Sequence, residues 1–252
     1  MNEPAALRRM TNLGRRNGRR PRELRRIEIV RGYTKSAPGS VLIRAGDTWV
    51  LCTASWESSV PAWKKGGGTG WVTAEYDMLP ASTHQRRQRS RAKLDGRTQE
   101  IQRLIGRSLR AVVDLSALGE NSVLIDCDVL QADGGTRTAS VTGAYVAMCD
   151  AIRFAKSQKW LARSPIRHAV AAVSVGMVGG KALLDLDYDE DVVADVDMNV
   201  VMTGNGEFVE LQGTGERSSF TRSQLDRLVR LAAGGIGQLF VIQQRALRSR
   251  LR

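Results

Sequence analysis

Residues 132–138, which read Ala-Asp-Gly-Gly-Thr-Arg-Thr, have the side chains and spacing that bind a small oxyanion. They follow an apolar strand-like run, residues 122–130, and precede a helix-like run, residues 139–155. The two glycines permit a tight turn, and a helix start presents unpaired N–H groups at the positive end of the helix dipole. Thr136 adds a hydroxyl donor and Arg137 a permanent forked cation. The turn therefore favours phosphate, although Gly-rich strand-to-helix turns also occur without a ligand.

Acidic residues form a second group that can do chemistry, and they crowd one short region: Asp185, Asp187, Asp189, Glu190, Asp191, Asp195 and Asp197. Strand alternation would place Asp195, Asp197 and Asn199 on one face. An EF-hand calcium loop is excluded, because Glu190 occupies its glycine position and Val196 its terminal glutamate position. Such carboxylates either lie exposed on the surface or hold Mg²⁺ through one or two groups, with a substrate's phosphates completing the shell.

A polar loop over residues 84–95 carries a run of basic side chains without any apolar pattern to bury. Its arginines are available either to solvent or to the phosphates of a nucleic acid, and we predict nucleic-acid binding by Arg86, Arg87, Arg89 and Arg91. The Gly-rich segment 64–70 lacks the Gly-Lys-Ser/Thr ending of a nucleotide-binding P-loop, so no ATP site is predicted there.

Composition supports a polyanionic partner, since the formal net charge of the 252-residue chain is +12. The sequence has no apolar run long enough to span a bilayer and no signal-peptide pattern near its start. The three cysteines, Cys52, Cys127 and Cys149, lie in apolar segments and suggest buried free thiols in a reducing compartment. The sequence thus predicts a cytoplasmic protein that does not bind membranes.

The elements that must position these residues indicate an α+β chain. Alternating apolar residues predict a hairpin around Ala45-Gly46-Asp47, and spacing predicts helices around Ile101–Val112, over 139–155 and from Thr221 onward. Further strands are predicted at 71–79, 122–130, 171–177, 182–187, 193–201 and 207–212. Residues 1–16 are interpreted as a basic, mobile tail, and residues 17–252 as a single domain.

Long segments of the chain resemble ribonuclease PH, in the order in which that family has them. The four segments are Gly70–Tyr76, Gly96–Arg107, Asp126–Thr138 and Val196–Asn199. The similarity extends over roughly residues 17–245. The chain departs from the usual family pattern at Asn17, Arg26 and Ala81, where the family commonly has Asp, Pro and Arg.

The resemblance implies a fold of two β-α-β units around mixed sheets and a phosphorolytic 3′→5′ exoribonuclease that trims tRNA precursors. It implies inorganic phosphate as the co-substrate, nucleoside 5′-diphosphates as products, and reversible addition of nucleotides to RNA 3′ ends. It also implies a homo-hexameric ring, a trimer of dimers, that acts on tRNA precursors and other RNA 3′ ends.

Carried over residue by residue, the family's phosphate ligands correspond to Arg97, Gly135, Thr136 and Arg137. The catalytic carboxylates correspond to Asp191 and Asp197, which are also the implied Mg²⁺ ligands, and one of them could instead act as a general acid. Related rings contain members without chemistry, so a non-catalytic RNA-binding subunit is the alternative. A basic nucleic-acid-binding protein of another class would explain the charge but neither the turn nor the carboxylates.

Overall fold

The computed structural model describes Arg15, residues 18–88 and residues 95–249. Within these ranges the strands are β1 (Ile27–Arg31), β2 (Gly39–Ala45), β3 (Thr48–Glu57), β4 (Trp71–Met78), β5 (Ser122–Gln131), β6 (Val170–Val178), β7 (Lys181–Leu184), β8 (Val196–Thr203) and β9 (Phe208–Thr214). The helices are α1 (Gly96–Arg110), α2 (Leu115–Leu118), α3 (Thr136–Ser157), α4 (Tyr188–Val193) and α5 (Arg222–Arg248), and a short 3₁₀ helix covers Ala62–Lys64. The predicted α+β class is confirmed.

The first sheet has the strand order β1-β2-β3-β5-β4 and is mixed. Its strands pair antiparallel except for β4 and β5, which run parallel and are joined by a crossover that contains α1. Alternate residues of β3, namely Val50, Cys52 and Ala54, are fully buried on the face that α3 covers. This arrangement brings the carboxyl end of β5, where the Gly-Gly turn begins, next to the start of β3.

The second sheet has the order β7-β6-β8-β9 and is antiparallel throughout. Strand β6 is buried along its whole length, because α3 packs on it from one side and α5 from the other. The apolar stripe of α5, Leu228, Ala232, Ile236 and Leu239, has helical spacing and lies in the core of this half. Helix α3 contacts both sheets, so its first turn lies where the two halves of the chain meet.

Local sequence patterns predict most of these elements. As expected, the hairpin of β2 and β3 pairs Ala45 with Thr48 across a two-residue turn, and α5 begins after Thr221. Thr221 and Gln224 form a reciprocal capping box at this helix start. The strand predicted over 182–187 is wrong at its end: β7 stops at Leu184, and Asp185 has a φ of +55°. Strand β1 and the short helices α2 and α4 were not predicted.

Three arginines near the chain start are held by carboxylates of the second half of the chain. Arg15 and Arg25 are buried, and Arg19 is half-buried. The Arg15 guanidinium donates to both carboxylate oxygens of Glu190 at 2.7 Å, and Arg19 pairs with Asp187 and Glu190. The rest of the predicted tail lies outside the described residues, and its boundary at residue 16 stays a prediction.

All three cysteines are free and buried, as predicted. Cys52 and Cys127 are cross-strand neighbours in β3 and β5, with their sulfur atoms 3.8 Å apart. Over the described part of the chain, no helix has both the length and the apolar character needed to cross a membrane.

Candidate active site

A cavity of about 650 Å³ opens where the two halves of the chain meet. Its walls come from the loop after β4, the start of α1, the β5–α3 turn, β6, α4 and β8. All six residues that the family resemblance marks as phosphate ligands or catalytic carboxylates line it: Arg97, Gly135, Thr136, Arg137, Asp191 and Asp197. Residues that lie up to 100 positions apart in sequence therefore share one polar chamber.

The β5–α3 turn depends on its two glycines. Gly134 and Gly135 have φ values of +75° and +63°, a region that residues with a Cβ atom rarely adopt. A Cβ atom on Gly134 would also lie 2.7 Å from the carbonyl carbon of Asp187, so the turn is in direct contact with the residue before α4. Gly135 is the N-cap of α3, and as a glycine it has no side chain that could accept a hydrogen bond from the first-turn amides. The amides of its first turn thus lack intrahelical partners at the edge of the cavity, which suits an anion.

The hydroxyl of Tyr76 holds the side chain of Thr136 in place. The buried Tyr76 of β4 donates its hydroxyl proton to Thr136 Oγ1 at 2.9 Å. Burial raises the pKa of Tyr76, so this hydroxyl remains a donor at neutral pH. Because Thr136 Oγ1 accepts from Tyr76, its own proton is left to donate toward the cavity.

Tyr76→Phe tests this support. The substitution removes one buried hydrogen bond and should lower the free energy of unfolding by about 1 kcal/mol. It should also weaken binding of inorganic phosphate by up to about fivefold, the equivalent of that energy. Tyr145→Phe, which changes another buried tyrosine outside the cavity, is the matched control. Calorimetric titration with phosphate decides: equal phosphate affinity in both variants would mean that Tyr76 only fills the core.

Arg137 projects from the first turn of α3 and is oriented by two other elements. Its Nη1 donates to Gln212 Oε1 of β9 at 2.7 Å and to Glu100 Oε1 of α1 at 3.4 Å. Gln212 Nε2 in turn donates to the same Glu100 oxygen at 3.2 Å. The guanidinium is only partly engaged by these bonds, so it keeps further donors for a ligand.

Arg97 supplies the second cation. It is an exposed residue in the first turn of α1, a helix that Asp95 caps by accepting the Thr98 N–H at 2.6 Å. The cap fixes where α1 begins and therefore where Arg97 enters the cavity. Two arginines and an uncapped helix start thus converge on one space, an arrangement suited to a phosphate dianion.

The two carboxylates reach the cavity from different elements. Asp191 lies in α4, which Asp187 and Glu190 begin with a capping box, and its N–H bonds to the Asp187 carbonyl at 2.9 Å. Asp197 lies in β8, between Gly176 of β6 and Thr214 of β9. Partial burial raises the pKa of Asp191, while Arg137 and Arg97 oppose the rise.

Asp197 is half-buried, and one of its two carboxylate oxygens is unpaired. Burial and the nearby charges of Asp191 and Glu216 raise its pKa. Its Oδ1 atom is buried and has no hydrogen-bond partner, an unusual state for a carboxylate oxygen. Two close carboxylates, one with an unsatisfied oxygen, fit a divalent cation whose remaining ligands are water and phosphate oxygens. Among the described residues no group of three or more His, Cys, Asp or Glu side chains is arranged for a metal.

Two family models match the chain. Domain 1 of the 3′ exoribonuclease family matches residues 23–153, and domain 2 of the same family matches residues 168–235. The chain belongs to the 3′ exoribonuclease family, the ribonuclease PH family. The domain 1 match contains Arg97 and the Gly-Gly turn, and the domain 2 match contains Asp191 and Asp197, so the family's two domains meet at the cavity.

Solved structures with the same fold include exosome proteins. A chain of the Archaeoglobus fulgidus exosome with RNA bound to the active site superposes with a TM-score of 0.79 at 23% identity, covering 93% of this chain and 94% of that one. Rrp46 of rice (Oryza sativa) gives 0.76 at 15% identity, covering 92% and 99%. A chain of an archaeal exosome core gives 0.74 at 23% identity, covering 96% and 94%. The family's two-sheet fold is therefore present along nearly the whole chain.

The basic loop of this family member is described only in part. Arg86 is exposed, whereas Arg87 is half-buried, lines the cavity and pairs with Asp95 at 3.3 Å. Arg89 and Arg91 lie outside the described residues, so their predicted contacts with RNA stay predictions. Of the two arginines that are described in this loop, Arg87 is the one that lines the cavity together with the Gly-Gly turn and the carboxylates.

Tyr76 and Gln212 have no assigned role in the sequence interpretation, although both hold residues of the family site. Tyr76 shares one strand face with the apolar Val72 and Ala74, and this spacing predicts that it is buried. A buried tyrosine needs a hydrogen-bond partner for its hydroxyl, so the sequence contained a signal for this contact. Gln212 carried no such signal, because its position beside Arg137 depends on how β9 joins the second sheet.

Proposed function

We propose that the protein is a phosphate-dependent 3′→5′ exoribonuclease that trims the 3′ ends of tRNA precursors and releases nucleoside 5′-diphosphates. The observation that carries the proposal is that the Gly-Gly turn, two arginines and two carboxylates line one cavity. Membership of the 3′ exoribonuclease family supports the reaction class. The same arrangement supports the reverse reaction, in which nucleotides are added to an RNA 3′ end.

The first requirement of phosphorolysis is to bring a phosphate dianion onto an anionic phosphodiester. Arg97, Arg137 and the amides at the start of α3 offset this repulsion and hold the phosphate in line with the scissile bond. An oxygen of the phosphate bonds to the phosphorus of the terminal nucleotide, and the bond from that phosphorus to the 3′ oxygen of the preceding nucleotide breaks. The terminal nucleotide leaves as a diphosphate, and the 3′ oxygen of the shortened RNA takes up a proton.

Asp191 and Asp197 act on the leaving side in this proposal. They would hold Mg²⁺, which when bound supplies positive charge to the transferring phosphoryl group and the leaving oxygen. Their raised pKa values also suit a second role, in which one carboxyl group donates the proton that the 3′ oxygen takes up. No nucleophilic side chain is required, because the phosphate itself attacks.

The substrate and the assembly belong to the same proposal. The net charge of +12 suits RNA, and a structural neighbour is a chain of an exosome that has RNA bound to the active site. We expect a homo-hexameric ring, a trimer of dimers, working in the cytoplasm on tRNA precursors and other RNA 3′ ends. Analytical ultracentrifugation of the purified protein measures the oligomeric state, and a monomer at micromolar concentration would contradict the ring.

The proposed function is tested with a tRNA that carries a short 3′ extension. The protein should shorten it only when inorganic phosphate is present with Mg²⁺, and the released nucleotides should be diphosphates by chromatography. Excess nucleoside diphosphate should drive the reverse reaction and lengthen the RNA. Monophosphates released in phosphate-free buffer would contradict the proposal. Tight RNA binding without any nucleotide release would instead identify a non-catalytic RNA-binding subunit.

The basic loop gives a prediction about substrate choice. Replacing Arg86, Arg89 and Arg91 by Gln should weaken binding of intact tRNA and reduce the slope of log affinity against log salt by up to about 2, since fewer counterions are released. Trimming of a short unstructured oligonucleotide should change little. Arg87→Gln should impair both substrates, because Arg87 lines the cavity.

A charge-matched control removes the effect of net charge. Arg222, Arg227 and Arg230 are exposed on α5 and do not line the cavity, and their replacement by Gln removes the same charge. Binding isotherms for both RNAs over a salt series compare the two triple variants. Equal weakening of tRNA binding in both would show that the loop acts only through the overall charge.

A further inference from the structure

Arg25 is a buried cation that belongs to neither the phosphate set nor the carboxylate set. It lies just before β1 and is 6% exposed. Its Nε and Nη2 atoms donate to the two carboxylate oxygens of Asp185, at 3.1 and 2.8 Å, and its backbone N–H donates to the same carboxylate at 2.8 Å. Its remaining nitrogen, Nη1, points the other way and donates to the carbonyl oxygens of Asp133 and Gly134, at 2.5 and 3.4 Å.

Through Asp185, Arg25 is connected to α4, the carboxylate helix, which carries Asp191. Asp185 has a φ of +55° and comes two residues before Asp187, the N-cap of α4. The Leu186 N–H between them donates to Ser174 Oγ at 3.1 Å. Helix α4 then carries Asp191, whose N–H is bonded to the Asp187 carbonyl. Asp185 is therefore linked to Asp191 through six positions of the chain that are hydrogen-bonded at Leu186 and at Asp191.

Through the carbonyls of Asp133 and Gly134, Arg25 is connected to the β5–α3 turn, which is the phosphate turn of the proposed function. Asp133 and Gly134 immediately precede the N-cap Gly135, and an added Cβ on Gly135 would lie 2.9 Å from Arg25 Nη2. Thr48 braces the same turn, since its hydroxyl donates to the Gly134 carbonyl at 2.6 Å and accepts the Asp133 N–H at 2.9 Å. The guanidinium thus packs against the back of the turn, while the turn's other side faces the cavity.

We propose that Arg25, paired with Asp185, is a positioning residue that sets the separation between the phosphate turn of the first half and the carboxylate helix of the second. Arg25 does not line the cavity and touches no substrate in this account. The proposal rests on the proposed function, in which the turn binds phosphate and Asp191 acts on the leaving side. A forked guanidinium suits this task because it can bond to a carboxylate and to backbone carbonyls at fixed angles at the same time.

The chain offers a matched control in Arg31. This residue is also buried, donates through Nε and Nη2 to both oxygens of Asp150, and donates through Nη1 to the carbonyls of Ala246 and Ser249. The two arginines thus have the same pattern of partners, one beside the cavity and one against the end of α5. Lysine at either position keeps the charge and loses the fork.

Arg25→Lys and Arg31→Lys are compared by thermal unfolding, by titration with inorganic phosphate and by steady-state trimming. Both should lower Tm. Only Arg25→Lys should raise KM for phosphate and weaken calorimetric phosphate binding, by about 10- to 100-fold, the size of loss that is typical when residues that orient the ligands of a metal site are replaced. KM for RNA should change far less, because the basic loop is untouched. An unchanged phosphate affinity in Arg25→Lys, or an equal rise in Arg31→Lys, would overturn the proposal.

Asp185→Asn keeps the test decisive if Arg25→Lys does not fold. Asparagine tolerates the left-handed backbone of Asp185, so the change removes the charge without straining the chain. It should weaken phosphate binding in the same way, and unchanged phosphate binding would overturn the proposal. Phosphate titration does not depend on turnover. A wild-type protein that binds phosphate yet releases no diphosphates would therefore refute the proposed function while the comparison of Arg25 with Arg31 still decides the positioning role.

Discussion

Asp191→Asn and Asp197→Asn are each expected to lower turnover by about 10²- to 10⁴-fold, while RNA binding is retained. The substitutions keep the shape of the side chain and remove the charge that would hold Mg²⁺, or the proton that one carboxyl group would donate. Because they remove negative charge from a cavity that takes up a polyanion, they should not weaken RNA binding.

The measurement is single-turnover trimming of a 3′-extended tRNA, with RNA affinity measured in parallel. Asp189→Asn is the matched control: this residue belongs to the same helix as Asp191, and it does not line the cavity. It should keep near wild-type turnover. The catalytic assignment fails if both Asp191→Asn and Asp197→Asn trim at the wild-type rate, and a loss shared equally by Asp189→Asn would point to the folding of α4 instead.

Arg137→Ala is expected to raise the apparent KM for phosphate by about 30- to 150-fold, the equivalent of the roughly 2–3 kcal/mol that a strong hydrogen bond to a charged group contributes. KM for RNA should move much less. Arg137→Lys should recover part of the loss, because it restores the charge without the forked geometry.

Arg153→Ala is the control for Arg137. Arg153 is exposed near the other end of α3, where it donates to the Leu247 carbonyl at 2.9 Å. Its replacement should leave phosphate dependence at the wild-type value. Rates measured over a range of phosphate concentrations separate the outcomes, and an unaltered phosphate requirement in Arg137→Ala would show that Arg137 only ties α3 to Gln212 and Glu100.

Local patterns predicted the elements on both sides of the phosphate turn, because the signals lie within a few residues of each other. The apolar run of β5, the paired glycines and the apolar residues of α3 are contiguous, and each is typical of one backbone state. The family resemblance, rather than spacing, selected Arg97, Asp191 and Asp197. The structure places these three with the turn around one cavity, and their roles stay predictions.

The missed features have identifiable physical reasons. Helix α4 has only six residues and lies in an acidic cluster that was interpreted as a possible metal site. The capping pattern of Asp187 and Glu190 was therefore not interpreted as a helix start. Arg25 lies in a basic run that is usually solvated, and its partner Asp185 is 160 residues away. Arg25 is buried because the two halves of the chain pack against each other. Local sequence patterns within either half carry no information about that packing.

The most direct test of the central claim follows the phosphate itself. The wild-type protein is incubated with unlabelled 3′-extended tRNA, Mg²⁺ and radiolabelled inorganic phosphate, and the released nucleotides are separated. The label should appear in nucleoside 5′-diphosphates, at their β-phosphate, in proportion to the nucleotides removed. Unlabelled monophosphates accompanying the shortening of the RNA would show that water is the nucleophile and would contradict the account.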